Sequence, residues 1–197
     1  MKKIFTTALS FFTLISNAQI QKGTWSISTS TNAPMNLQLD TYGSKIKTHN
    51  FTISPGLGYF IGKRWEIGGD PVISFMGSRV KYPAGDLKSR SNSYGLNIYT
   101  RYYLKTEGKL LPYLTANIQY SRYFSKSIDY GSGTKDSYKG NYWRIGGGAG
   151  VSWFITPKAA LFSELNYMGR WGDGSGYNSG LTFKVGFQIY FGGKNKK

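Results

Sequence analysis

Few side chains in this chain are available for chemistry. His49 is the only histidine, and there is no cysteine. Histidine catalysis needs a serine nucleophile or an orienting carboxylate within hydrogen-bond reach. The local run His49-Asn50-Phe51 supplies neither. No grouping of histidine and carboxylates has the spacing of a metal site. Gly146-Gly147-Gly148-Ala149-Gly150 has the glycine density of a phosphate-binding loop, but such a loop must lead into a helix N-terminus. The residues that follow, VSWFIT, continue an extended pattern instead. Gly131-Ser132-Gly133-Thr134-Lys135 reads as a flexible loop. The sequence therefore predicts no catalytic residue, no cofactor and no metal.

The charges carry more information. Lysine and arginine number 25 against 9 acidic residues, for a net charge of +16. Most sit in polar loop segments, Arg170 among them, but Glu66, Asp70, Arg101, Arg144, Glu164 and Lys184 fall inside apolar stretches. Three are acids and three are bases, so they cancel. A charge withdrawn from water is costly unless it is paired. The chemistry these six predict is mutual pairing in an enclosed ionic network.

The elements that must hold them show in SGLTFKVGFQIYF, residues 179–191. Leu181, Phe183, Val185, Phe187, Ile189 and Phe191 occupy every second position, with Lys184 on the opposite parity. That is a strand with one apolar face. Seven further stretches alternate likewise: 25–27, 51–61, 65–75, 94–104, 110–120, 143–155 and 159–167. Polar segments near 33–49, 77–92, 125–140 and 171–179 alternate with tight reversals at 62–64, 105–109 and 156–158. This rhythm predicts an up-and-down meander with all long loops at one end. The polar face is rich in Gly, Ser, Thr, Asn and Gln, which suits a crowded interior, and its glycines leave room for bulky neighbours. Strands of this length fit a bilayer, where closure into a barrel satisfies every backbone group. The prediction is an all-β fold, an eight-stranded antiparallel up-and-down transmembrane β-barrel. Trp25, Trp65, Trp143, Trp153 and Trp171 belong at strand ends, with Tyr59, Trp65 and Trp153 on the short-turn rim.

Residues 1–18 read as a signal peptide. A basic MKK start, a short apolar run Ile4–Ile15 and Ser16-Asn17-Ala18 lead to Gln19 as the mature start. Residues 19–197 then form a single barrel domain. Export argues against nucleic acid as the partner of the positive charge.

With its leader, eight alternating stretches, loop rhythm and last strand ending at Phe191, the chain resembles the small eight-stranded outer-membrane β-barrels of the OmpA/OmpX type. The resemblance implies location in the outer membrane of a Gram-negative cell and insertion by the barrel-assembly machinery. The aromatic that ends the last strand looks like the assembly signal, although Gly192–Lys197 (GGKNKK) follows it here. Some barrels of this size are lipid A-modifying enzymes with a rim histidine, the role His49 would take. A small channel or transporter is the other alternative. The preferred reading is a non-enzymatic barrel with a structural or surface-interaction role and a lumen filled by side chains. Its partners would be outer-membrane lipids, including lipopolysaccharide at Arg79, Lys81, Lys88 and Arg90. Within the lumen Lys184 is expected to face Glu164, on the neighbouring strand.

Overall fold

Alternating apolar and small polar residues produce a sheet that can close only if its outer face meets something other than water. The computed structural model describes residues 18–34, 45–82, 85–131, 133–172 and 175–192, so the expected signal peptide, 1–18, lies outside the described residues except for its last residue, as do residues 193–197. Its strands are β1 (Ala18–Gln19), β2 (Thr24–Pro34), β3 (Lys45–Phe60), β4 (Trp65–Tyr82), β5 (Gly85–Tyr103), β6 (Glu107–Gly108), β7 (Leu110–Asp129), β8 (Lys135–Thr156), β9 (Ala159–Gly172) and β10 (Ser175–Gly192). β1 and β6 pair separately. The other eight form one closed antiparallel barrel in the order β10-β2-β3-β4-β5-β7-β8-β9.

The alternation decides which side each residue takes. On β10, Leu181, Phe183, Val185, Phe187, Ile189 and Phe191 point outward, each at least 36% exposed, whereas Lys184, Gln188 and Tyr190 are buried inside. The same outward stripe continues over Ile27, Ile53, Ile73, Leu96, Ile118, Ile145 and Leu165. So large an apolar surface would drive association in water. In a bilayer, hydrocarbon covers it.

Aromatic rings border this band. Trp25 packs on Tyr59 at 4.7 Å and Trp65 on Tyr102 at 5.0 Å, near the short turns, where outward Trp153 also lies. Toward the other end Tyr94 stacks on Phe124 at 5.8 Å, and Tyr120 packs on Trp143 at 4.9 Å.

Three expected long loops are in fact strand over most of their described residues. β4 and β5 stay paired as far as Tyr82 and Gly85, and β7 and β8 as far as Ile128 and Lys135. β9 likewise reaches Gly172 before β10 resumes at Ser175. Of the first long segment, residues 35–44 lie outside the described residues, and from Lys45 the chain is already β3. The hairpins outrun the apolar band, and above it both faces are mostly polar, so the period-two signal fades while the backbone ladder continues.

Register shifts interrupt the β9–β10 ladder between Ser175 and Asn178 and the β8–β9 ladder between Phe154 and Thr156, and two further ladders lose pairs. Between β3 and β4, pairing pauses from Ile53/Ile73 to Leu57/Gly69 with the register unchanged, so that Pro55 faces Pro71. Neither proline has an N–H to donate. Between β2 and β3 only six residue pairs form among the described residues, Trp25/Tyr59 through Ser30/Ser54, although β2 continues to pair with β10 as far as Pro34.

At the short-turn end the bore is closed by a layer the alternation did not disclose. Ile20, Phe60, Tyr103, Leu111, Tyr113, Phe154, Ala160 and Tyr190 form one buried apolar cluster. The chain just before β2 supplies Ile20, held by its N–H to the Thr106 carbonyl at 3.1 Å.

Candidate functional site: the filled lumen and the basic outer face

Above that aromatic floor lies the charged layer. Arg101 of β5 is 2% exposed and reaches across the bore. Its Nε and Nη2 donate to Glu164 Oε2 of β9 at 3.2 and 3.1 Å, and its Nη1 donates to Gln188 Oε1 of β10 at 3.3 Å. The same Nη1 lies 3.6 Å from Glu66 Oε2 of β4. The rings of Tyr99, Tyr113 and Phe162 surround the guanidinium at 4.6, 4.9 and 4.9 Å.

Each carboxylate has further donors. Glu66 accepts from Ser26 at 2.6 Å, Gln188 at 2.8 Å, Tyr103 at 3.1 Å and Tyr99 at 3.4 Å. Glu164 accepts from Asn166 at 2.6 Å and Tyr113 at 3.1 Å. Hydrogen bonds to an ionised carboxylate are among the stronger ones, and a satisfied network rigidifies its surroundings. This network ties six of the eight barrel strands together across the lumen.

The structure corrects three details of the expected constellation. Lys184 sits opposite Glu164 in the β9–β10 ladder, yet its ammonium pairs with Asp70 of β4 at 3.4 Å. Glu164 is already engaged by Arg101, which takes the nearer claim. Asp70 has only Asn97 as its other donor among the described residues, at 3.1 Å, so Lys184 crosses the bore to it. Arg144 stands apart from the carboxylates and leans on the Tyr142 ring at 5.2 Å. Arg170, expected in a loop, lies on β9 directly opposite Arg144, with its guanidinium 4.1 Å from the same ring. The lower network thus holds three carboxylates against two cations, with tyrosine, serine and amide donors offsetting the excess, while two arginines stand above it.

Because Asp70 has few other donors, Lys184→Met should lower stability by about 1–3 kcal/mol. Adding Asp70→Asn should restore most of that loss, since no unpaired charge is then left buried. Urea titration of the barrel in lipid vesicles measures both; no recovery in the double variant would mean that the pair is not what holds Lys184.

Glycines supply the space for the plug. A Cβ on Gly150 would lie 2.5 Å from the Tyr113 ring, and one on Gly68 or Gly186 would collide with Tyr99 or Phe162. The glycine-rich run of β8 is wall, with residues 146–150 paired on both sides.

Toward the long-hairpin end the lumen widens into a cavity of about 410 Å³, lined by Ser, Asn, Thr and Gln side chains with Tyr123, Tyr142, Arg144 and Arg170 among them. On the outer face Arg79, Lys88 and Arg90 are exposed on β4 and β5, beyond the aromatic border. Lys88 lies over the Tyr130 ring at 4.8 Å. In the ladders Arg79 is opposite Lys88, and Arg90 opposite Lys126. The backbone of Lys81 lies in the same hairpin opposite Asp86, and its side chain is outside the described residues. Arg122, an outward residue not singled out from the sequence, stands opposite Tyr94 and leans on Phe124 at 5.5 Å. His49 is exposed on β3 opposite Gly77. Among the described residues no group of three or more His, Cys, Asp or Glu forms a metal site.

Comparison with known proteins agrees with this architecture. No curated protein matches the sequence. Among solved structures, the chain superposes on the outer membrane protein OprG from Pseudomonas aeruginosa with a TM-score of 0.58 at 15% identity, covering 89% of this chain and 99% of that one. Ail, the attachment invasion locus protein of Yersinia pestis, gives 0.52 at 15% identity, covering 87% and 100%. A major outer membrane protein from Thermus thermophilus gives 0.51 at 10% identity, covering 86% and 99%. Identities this low speak to the fold alone. The family model described as "Outer membrane protein beta-barrel domain" matches residues 4–191, nearly the whole chain. The chain belongs to the outer membrane β-barrel domain family.

Proposed function

We propose that this outer membrane barrel is a non-enzymatic structural element of a Gram-negative envelope, exported by its leader, with a closed lumen and an outer face that holds lipopolysaccharide. One observation carries the closed lumen: Glu66, Arg101, Glu164 and Gln188, each no more than 2% exposed, meet across the bore above a layer of apolar rings. An eight-stranded barrel has room for little more than its own side chains. Planar bilayers containing the protein should therefore show no single-channel steps, and discrete steps would favour the small channel instead.

The outer face supports the second half of the reading. Arg90 and Lys126 stand four residues and two residues beyond the ring pair Tyr94 and Phe124. Aromatic borders mark the headgroup level, so these cations rise to about 10 Å above it, where anionic sugars and phosphates of the outer leaflet lie. Each cation near such a surface contributes about 1 kcal/mol at low salt. The combined variant R79Q/K88Q/R90Q should bind lipopolysaccharide micelles roughly a hundredfold more weakly at low ionic strength. The difference should shrink as salt rises. Equal binding by both proteins at low salt would remove the proposed lipid contact. Lipid A mass spectra unchanged by His49→Ala are expected as well, and a changed spectrum would reopen the rim-enzyme reading.

A further inference from the structure

The lumen above the charged plug holds an arrangement that neither closure nor lipid contact uses. Arg144 on β8 and Arg170 on β9 are directly opposite in the ladder, both facing the 410 Å³ cavity. Like charges directly opposite on one face of a sheet destabilise it. Among the described residues no carboxylate lines this cavity, and the lower carboxylates of the plug have their own donors. The two guanidiniums are braced on one ring, 4.1 and 5.2 Å from Tyr142, and Arg170 also lies 5.6 Å from Tyr123. Arg170 Nε is buried without a hydrogen-bond partner. Two preorganised cations with a donor to spare form a fork for an oxyanion.

The opposite wall points to the rest of the ligand. β3 stands four strands away from β8 around the barrel, so Asn50 faces the arginines across the bore. Asn50 Oδ1 and Asn32 Oδ1 line the same cavity, buried and without donors. They lie where the β2–β3 ladder has stopped. Acceptors on one side and cations on the other match a molecule with hydroxyl groups at one end and an anion at the other. A phosphate monoester carries about two negative charges at neutral pH, which neutralises the arginine pair, whereas a single carboxylate leaves one cation uncompensated.

We propose that this vestibule binds the phosphate monoester of a small hydroxylated molecule, a sugar phosphate in class, with Arg144 and Arg170 on the phosphate and Asn32 and Asn50 accepting from hydroxyls. The cavity volume lies within the range of small-molecule sites. Asp70 and Lys184 lie one inward position below Val72 and Thr182 of its lining, so the plug forms its floor. The site captures its ligand from the long-hairpin side and does not pass it through.

The test uses the protein folded in micelles free of lipopolysaccharide, titrated calorimetrically with glucose 6-phosphate, glucose and inorganic phosphate. Glucose 6-phosphate should bind one molecule per barrel, inorganic phosphate more weakly, and glucose not at all. R144Q/R170Q, checked for folding by heat-modifiable gel migration, should lose at least about tenfold in affinity. R79Q/R90Q on the outer face should leave the affinity unchanged. On the unaltered protein, glucose 6-phosphate should shield Arg144 and Arg170 from phenylglyoxal, read by peptide mass spectrometry, so the answer does not depend on a variant folding. Absence of binding, equal affinity for inorganic phosphate, or no shielding of either arginine would overturn the inference. A loss confined to R79Q/R90Q would place the anion on the outer face and overturn it too, without touching the lipid-binding proposal.

Discussion

Arg101→Met should lower the unfolding free energy by about 3–5 kcal/mol, the cost of leaving buried charges without their partner. Arg101 is the one cation within reach of both Glu66 and Glu164 among the described residues, at 3.6 and 3.1 Å. Methionine keeps the volume and the contact with the rings of Tyr99, Tyr113 and Phe162, so lost packing contributes little. What remains is two carboxylates buried inside the bore. Adding Glu164→Gln should recover a large part of the loss, because an amide accepts from Tyr113 without carrying charge. Urea unfolding in lipid vesicles, followed by tryptophan fluorescence, reads all of these. A loss below about 1 kcal/mol would mean that water reaches the network and that the lumen is not sealed there.

Gly148→Val should prevent barrel closure outright. A Cβ at Gly148 would collide with the Leu165 carbonyl oxygen and would lie 2.8 Å from the Asn166 Cα, both backbone atoms of the adjacent strand. Backbone in a closed ladder has no alternative rotamer. The overpacking cost is expected to be roughly 3 kcal/mol or more. Gly77→Val is the matching control, since nothing lies within 4 Å of its added Cβ. Heat-modifiable gel migration should show the Gly148→Val protein only at its unfolded position while the control migrates as folded barrel. Normal migration of Gly148→Val would show that β8 and β9 are free to separate there.

The barrel was legible in the sequence because period two persists wherever one face meets lipid. Ile189 and Phe187 outside and Gln188 between them could be assigned from parity alone. The extent of the strands was not legible. Residues such as Arg79, Lys88 and Ser89 lie in polar surroundings on both faces, so no alternation betrays the ladder that pairs them. The side of each interior charge followed from parity, but its partner did not. Ladder neighbours share a row, whereas Lys184 and Asp70 meet across the bore, and sequence spacing carries no information on that distance. Arg170 was misplaced for a related reason: its stretch ends in Gly169, Gly172 and Asp173, which read as loop. The apolar floor hid behind single residues. Phe60, Tyr103 and Leu111 break alternation only at strand ends, where a stray apolar residue resembles ordinary rim.

The short seam between β2 and β3 has a consequence for the order of assembly. Among the described residues β2 shares six residue pairs with β3, its neighbour in sequence, and eleven with β10, the last strand of the barrel. A six-pair hairpin edge is marginal by itself. The barrel strand that shares most pairs with β2 is thus the one that lies farthest from it along the chain, and closing so large a loop carries its full entropic cost before any pairing compensates. Hairpins such as β4–β5 and β7–β8, with near neighbours and long ladders, can form early. β2 must wait for β10, so until that last pairing forms the sheet stays open, with unpaired edges of the kind that make folding intermediates prone to aggregate.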